Sequence, residues 1–351
     1  MASGVCPLSS LWGTRWPLLQ APMAGVQDEA LALAVSAAGG LGALPAATLD
    51  AQGLHDKLQR LHASGLPHNV NFFCHAQAPL SAAADARWRS ALRPLQAQWG
   101  VDPNTPPSGA GRRPFDADMA EVLEAFKPTV VSFHFGLPEP ALLAAVKARG
   151  AFVLSSATSL REALWLQAHG ADGVIAQGLE AGGHRGHFLD TDVAQQLSTA
   201  ELLSQVVARL GVPVIAAGGI SDANAVAQAM AAGAAGVQVG TAFLLCDEAK
   251  TSALHRARLR DVEAPTELTN VFSGGLARGL VNAAMQALGP VSPAAPPFPH
   301  AADAMWPLRA QAERQGSDAF TPLWSGTRRE GCVAAPAATV VQDLARGFAT
   351  P

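Results

Sequence analysis

Eight short, almost uninterrupted apolar segments recur along this 351-residue chain, at 18–23, 41–46, 69–73, 130–135, 152–156, 173–177, 212–217 and 236–243. None alternates apolar with polar as a half-exposed strand does, so each is expected to be buried on both faces of a parallel sheet. Alanine-rich amphipathic stretches lie between them. In 28–38, Leu31, Ala34 and Val35 share one stripe. Ser159 caps a helix running to Ala168, and Glu162 three residues later predicts a capping box. Ser221 or Asp222 caps a helix to Ala232, which Gly233 ends. At 37–42, 169–174 and 232–237 a glycine-bearing helix end leads directly into an apolar segment. Repeated β/α units produce this pattern. Eight units match an α/β fold of the (β/α)8 TIM barrel type better than an open, doubly wound sheet, which stands as the alternative.

Two stretches interrupt the alternation. Residues 74–114 carry Trp88, Arg93 and Trp99 and a Pro/Gly/Ser tip at 103–111, and predict a helical excursion with a flexible tip. Residues 247–299 are richer in charge and then in proline, and are expected to form a smaller subdomain after strand 8, on the substrate side of the barrel mouth. Residues 1–246 and 300–351 then make the barrel, with a last helix at 301–315.

With 49% hydrophobic and 15% charged residues, a formal charge of −4 and no long basic run, nucleic acid is not an expected partner. No apolar run has the length of a membrane span, and 1–11 lack the regions of a secretion signal. Cys6, Cys74, Cys246 and Cys332 form no CxxC and no disulfide-like framework, which suits a reducing, cytoplasmic setting. His184 and His187 form an HxxH, but no acidic or Cys partner completes a metal site, so no metal is expected. The chain contains no tyrosine.

Residues 177–187 read Gln-Gly-Leu-Glu-Ala-Gly-Gly-His-Arg-Gly-His and leave the sixth segment directly. Glycines here let backbone approach a ligand, and a histidine among them titrates near neutral pH beside it. In a TIM barrel, phosphate is commonly held by the loops after strands 7 and 8. Those loops read Ala217-Gly218-Gly219-Ile220 and Val239-Gly240-Thr241-Ala242, and a short helix after Thr241 would add its positive end. Flavin mononucleotide, FMN, fits the remaining positions. The segment 20–25, Asn71 and Gln177 are placed to meet the polar edge of its ring, with Asn69 and Asn71 on one face of their strand.

Together these segments resemble the nitronate monooxygenases, formerly 2-nitropropane dioxygenases, in the class I branch of that FMN-dependent barrel family. The matching pieces are Gln20-Ala-Pro-Met-Ala-Gly25, Ala38-Gly-Gly-Leu-Gly42, Asn71-Phe-Phe73, residues 131–138, Ser156-Ala-Thr158, residues 175–186, Ala217-Gly-Gly-Ile220, residues 239–243 and Phe272-Ser-Gly274. The resemblance implies that His184 is the catalytic histidine. It implies that Ala21, Met23, Asn71, Gln177, Gly182, Gly183, Gly218, Gly219, Gly240 and Thr241 line the FMN site, and that His134 and Ser273 flank the substrate. The implied reaction takes an alkyl nitronate, propionate 3-nitronate among the candidates, and O2 to a carbonyl compound and nitrite, in a monomer or homodimer.

The chain departs from the family pattern at Gly275-Leu276, where Arg-Pro is usual, and in lacking tyrosines over the substrate site. His300, Met305 or Trp306 is expected to take that space, and Arg278 or Arg185 to steer an anion. Two other readings compete: a flavin-dependent NAD(P)H enoyl-thioester or quinone reductase, and a non-enzymatic flavin-binding sensor or carrier. An old-yellow-type reductase would need a tyrosine acid, and an IMP-dehydrogenase-like barrel a cysteine in 177–190; neither is present.

Overall fold

The eight apolar segments form eight strands: β1 (Leu18–Gln20), β2 (Gly42–Pro45), β3 (His68–Phe73), β4 (Val130–His134), β5 (Phe152–Ala157), β6 (Gly173–Gln177), β7 (Val214–Ala217) and β8 (Gly236–Val239). The computed structural model describes residues 8–77, 79–106, 111–190 and 192–348. Neighbours run in the order β1-β8-β7-β6-β5-β4-β3-β2, every pair parallel. Leu19 bridges Leu41, with Gln20 N donating to Leu41 O at 2.9 Å and Leu41 N to Leu18 O at 2.8 Å, so β1 meets β2 and the sheet closes. A closed parallel sheet with helices outside is the (β/α)8 barrel, and the open sheet is set aside.

Strand pleating sends alternate side chains inward. Leu19, Ala43, Val130, Leu154, Ile175 and Ile215 form one cluster with Leu8 and Trp12, so the helix Leu8–Trp12 plugs the end where the strands begin. The opposite residues meet the surrounding helices in two further clusters. Several strands are shorter than the apolar runs. β7 starts at Val214, after Pro213, which has no N–H for the ladder. β1 stops at Gln20 and β8 at Val239, and beyond each the chain turns toward the barrel mouth; Thr241–Phe243 is a single 3-10 turn.

The helix caps follow the sequence with one difference. Asp28 and Asp222 accept from Ala30 N and Ala225 N, which decides the choice between Ser221 and Asp222. Ser159 accepts from Glu162 N at 3.2 Å, but Glu162 does not complete a capping box. Its buried carboxylate instead accepts from Thr158 N and Oγ1 and from Phe188 N and Leu189 N. Two donors from the adjoining Thr158 and two from residues 188–189 take the carboxylate, and the latter pair ties down the far end of the glycine–histidine loop.

A second core lies beside the barrel mouth. The excursion contains the helix Ala82–Trp99, which packs on the helix Ala301–Arg314; Trp88, fully buried, donates from Nε1 to Ala301 O at 3.0 Å. Val271, Phe272, Met285, Leu308 and Phe320 complete this core. This second core therefore draws on the excursion as well as on 247–299. The helix expected at 301–315 belongs to it, and Ala337–Ala345 is the C-terminal helix that packs on the barrel. Of the tip expected at 103–111, residues 107–110 lie outside the described residues, as does Cys6. No described helix is long and apolar enough to cross a membrane.

Candidate active site

The loop leaving β6 is held on every side. Gly183–His184 pairs antiparallel with Ala277–Leu280, which pairs in turn with Thr266–Thr269. Gln177 grips the loop with both ends of its amide: Nε2 donates to His184 O at 2.9 Å and Oε1 accepts from Gly186 N at 2.8 Å. Gly186 is required by packing, since a Cβ there would stand 2.8 Å from His134 Cε1. Arg185 is fully buried and donates to Gln196 Oε1, Gly178 O and Gln177 O. Arg278 reaches Leu179 O at 2.7 Å. Both arginines are structural ties, so the expectation that one of them steers a substrate anion is corrected.

These restraints present His184 to a cleft at the barrel mouth. Its Nε2 lies 2.9 Å from Ser273 Oγ, whose hydroxyl also has Gly275 O within 3.3 Å. Among the described residues Nδ1 has no protein hydrogen bond. The rings of Phe298, Trp324, Phe73 and Phe135 surround the imidazole, with centroids 5.3, 5.4, 6.2 and 6.4 Å away. Burial, then the charges of Arg112, His134 and His75, hold its pKa well below the usual 6.5, so the ring is neutral at neutral pH. His134 sits beneath, with Nε2 3.2 Å from His184 O and Nδ1 3.1 Å from Ser156 Oγ. Burial lowers its pKa to about 4.

Across the cleft, Gly218 and Gly219 adopt φ of +116° and +67°. A Cβ on Gly218 would stand 2.8 Å from Thr199 Oγ1 and 2.9 Å from Ala181 N. Among the described residues the N–H groups of Gly218, Gly219, Gly240 and Thr241 meet no protein acceptor. Four free donors from two adjacent strand ends form a cradle for an anionic group. Gln238 Oε1, buried in the cleft lining, also has no partner among these residues. The cleft encloses about 1300 Å³ free of protein atoms, the part open to solvent included. Cradle, unspent polar atom and space all fit a phosphate-bearing cofactor with a flat polar ring.

Of the residues singled out in the sequence, Ala21, Met23, Asn71, His134, Gln177, Gly182, Gly183, His184, Gly218, Gly219, Gly240 and Thr241 line this one cleft. Ser273 does not; it is fully buried behind His184. Asn71 spends its amide nitrogen on Ser132, at 3.0 Å from Oγ, and Asn69 does the same deeper in the barrel. Gln20 turns away from the cleft to Gln27 and Ala43 N. Gly182 makes room for another segment, because a Cβ would stand 2.5 Å from Gly326 N. None of His300, Met305 and Trp306 lines the cleft, and Met305 is buried in the second core. Phe298 and Trp324 occupy the space beside His184 instead. The linings from Arg112, His255 and 324–328 carry no local motif and were not legible in the sequence.

Fold and site define a class: a (β/α)8 barrel enzyme that sets a cradle of free backbone donors opposite a neutral, aromatic-walled histidine. The family model for nitronate monooxygenase matches residues 6–347. A Paraburkholderia phytofirmans protein named nitronate monooxygenase is 40% identical, over 98% of this chain and 95% of its own. A Pseudomonas aeruginosa protein of the same name is 38% identical, over 95% and 96%. The crystal structure of a nitroalkane oxidase from Streptomyces ansochromogenes superposes with a TM-score of 0.85 at 36% identity, covering 97% of this chain and 96% of that one. This chain belongs to the nitronate monooxygenase family.

Proposed function

We propose that the protein is an FMN-dependent oxidoreductase that converts alkyl nitronates and O2 to a carbonyl compound and nitrite. The observation that carries this reading is the placement of His184, neutral and with Nδ1 open, across one cleft from the Gly218–Gly219 and Gly240–Thr241 cradle. Gly218, Gly219, Gly240 and Thr241 would hold the phosphate, and Ala21, Met23, Asn71, Gly182 and Gly183 would border the ring. FMN supplies the redox chemistry when bound.

The chain's own residues do the rest. With the Ser273 hydroxyl given to Gly275 O, His184 donates Nε2–H to Ser273 Oγ and keeps a lone pair on Nδ1. That lone pair can take the α-proton of a neutral nitroalkane. With the Ser273 hydroxyl turned to Nε2, Nδ1–H becomes a donor to a nitronate oxygen. Phe73, Phe135, Phe298 and Trp324 keep water from the imidazole, which strengthens either interaction. Free cysteines at Cys74, Cys246 and Cys332 support a reducing, cytoplasmic setting; the proposed assembly is a monomer or homodimer.

The test is direct. Flavin released by denaturing the purified protein should chromatograph as FMN, and ethyl nitronate should drive oxygen consumption with nitrite release. FAD in place of FMN, or no nitrite, would overturn the reading. Rapid anaerobic bleaching by NADH without nitronate turnover would transfer the protein to the reductase class.

A further inference from the structure

Arg112 reaches the cleft from the far end of the excursion. The chain that follows it is fixed: Arg113 N donates to Ala47 O at 3.1 Å, Pro114 bridges Phe73, and Phe115 N donates to Phe73 O at 2.8 Å. The guanidinium carbon stands 5.8 Å over the ring of Phe298, and that ring is 5.3 Å from the imidazole of His184. Gly275 permits this wall, since a Cβ there would already stand 3.0 Å from Phe298 Cδ2. Cation and imidazole thus both pack against one aromatic ring.

Among the described residues this guanidinium makes no hydrogen bond and has no carboxylate in ion-pair range. Asp303 and Arg309 of the helix Ala301–Arg314 are the charges that bear on it, with opposite effects. Arg309 is itself paired with Glu313, at 2.7 Å. A half-buried cation left without an anion is costly, and guanidinium remains charged at any working pH. Arg185 and Arg278, near the loop, are spent on backbone carbonyls, and Arg328, the other arginine in the cleft lining, is exposed to solvent.

Resting on the nitronate-oxidising reading, we propose that Arg112 is the anion-recognising residue of the substrate side, and makes the enzyme select nitronates over their neutral nitroalkanes. A nitronate carries its charge on two coplanar oxygens, which the planar fork of a guanidinium can meet with two parallel N–H donors. Phe298 orients the fork from below. Neutral nitroalkane presents the same outline without the net charge and gains far less.

Nitrate is a suitable probe: a planar oxyanion of nitrogen that the enzyme cannot oxidise. In the FMN-loaded wild type, nitrate should bind by titration calorimetry and compete with ethyl nitronate. Arg112→Gln should weaken nitrate binding and raise KM for ethyl nitronate by about tenfold or more, with kcat within about threefold and the response to ionic strength flattened. KM for neutral nitroethane should stay within about twofold. Arg112→Lys should recover part of the loss. Melting temperature and FMN content in all three proteins separate a recognition defect from a folding one. Unchanged nitrate affinity and KM in a folded Arg112→Gln protein would overturn the assignment. A wild type with no nitronate turnover would instead sink the reading on which it rests.

Discussion

The ring of His184 and the hydroxyl of Ser273 meet at 2.9 Å, joining residues 89 positions apart. The contact fixes one ring nitrogen from behind and leaves the other to the cleft. Ser273, fully buried, thus meets the ring of His184 and does not line the cleft.

Replacing His184 with Asn should leave bound FMN unchanged and lower kcat/KM for a neutral nitroalkane by about 100-fold or more, within the range of general-base catalysis. The loss with preformed nitronate should be smaller, because that substrate arrives deprotonated. Parallel oxygen-uptake assays on both forms check this. Wild-type rates on both would remove His184 from the chemistry.

Ser273→Ala should act only by freeing the imidazole. About a tenfold fall in kcat/KM is expected, equivalent to about 1.4 kcal/mol, the order of one hydrogen bond. The acid limb of the pH profile should move as well, which a packing defect alone would not produce. Steady-state kinetics from pH 5 to 8, set beside thermal melts, separates the two.

Gly218→Ala puts a side chain at φ +116°, a strain of about 1–3 kcal/mol, and drives its Cβ into Thr199 Oγ1 and Ala181 N. The cradle then shifts. FMN affinity, measured by fluorescence titration of the apoprotein, should fall by about tenfold or more. Retention of wild-type affinity would place the phosphate elsewhere.

Acid should both inactivate and destabilise the protein. His134 and His255 have pKa values lowered to about 4, and that of His184 lies well below 6.5, chiefly through burial. In the unfolded chain these groups take up protons near 6.5, before the folded protein does, so stability is lost as pH falls from about 6.5 toward 4. Activity needs neutral His184 and should hold through neutral pH, failing only below it. Melting temperature against pH shows the first effect; a curve flat between pH 7 and 4.5 would contradict the buried, neutral histidines.

What the residues determine locally is the barrel and half the site. Burial on both faces makes a parallel strand a continuous apolar run, and side-chain caps and glycine stops are local signals, so Asp28, Ser159, Asp222 and Gly233 announce their roles in short windows. Gly218 and Gly219 are legible for a related reason: φ values of +116° and +67° strongly favour glycine whatever surrounds it. Tertiary structure alone decided which partner each polar group takes. Glu162 has the spacing of a capping box yet spends its carboxylate on Thr158 and residues 188–189, and Arg185 and Arg278 hold carbonyls while Arg112 lines the cleft. Ser273, Phe298 and Trp324 converge on His184 from segments far from it in sequence. Backbone conformation is set by neighbours along the chain; a charge, a hydroxyl or a ring finds its lowest energy among whatever the fold brings near.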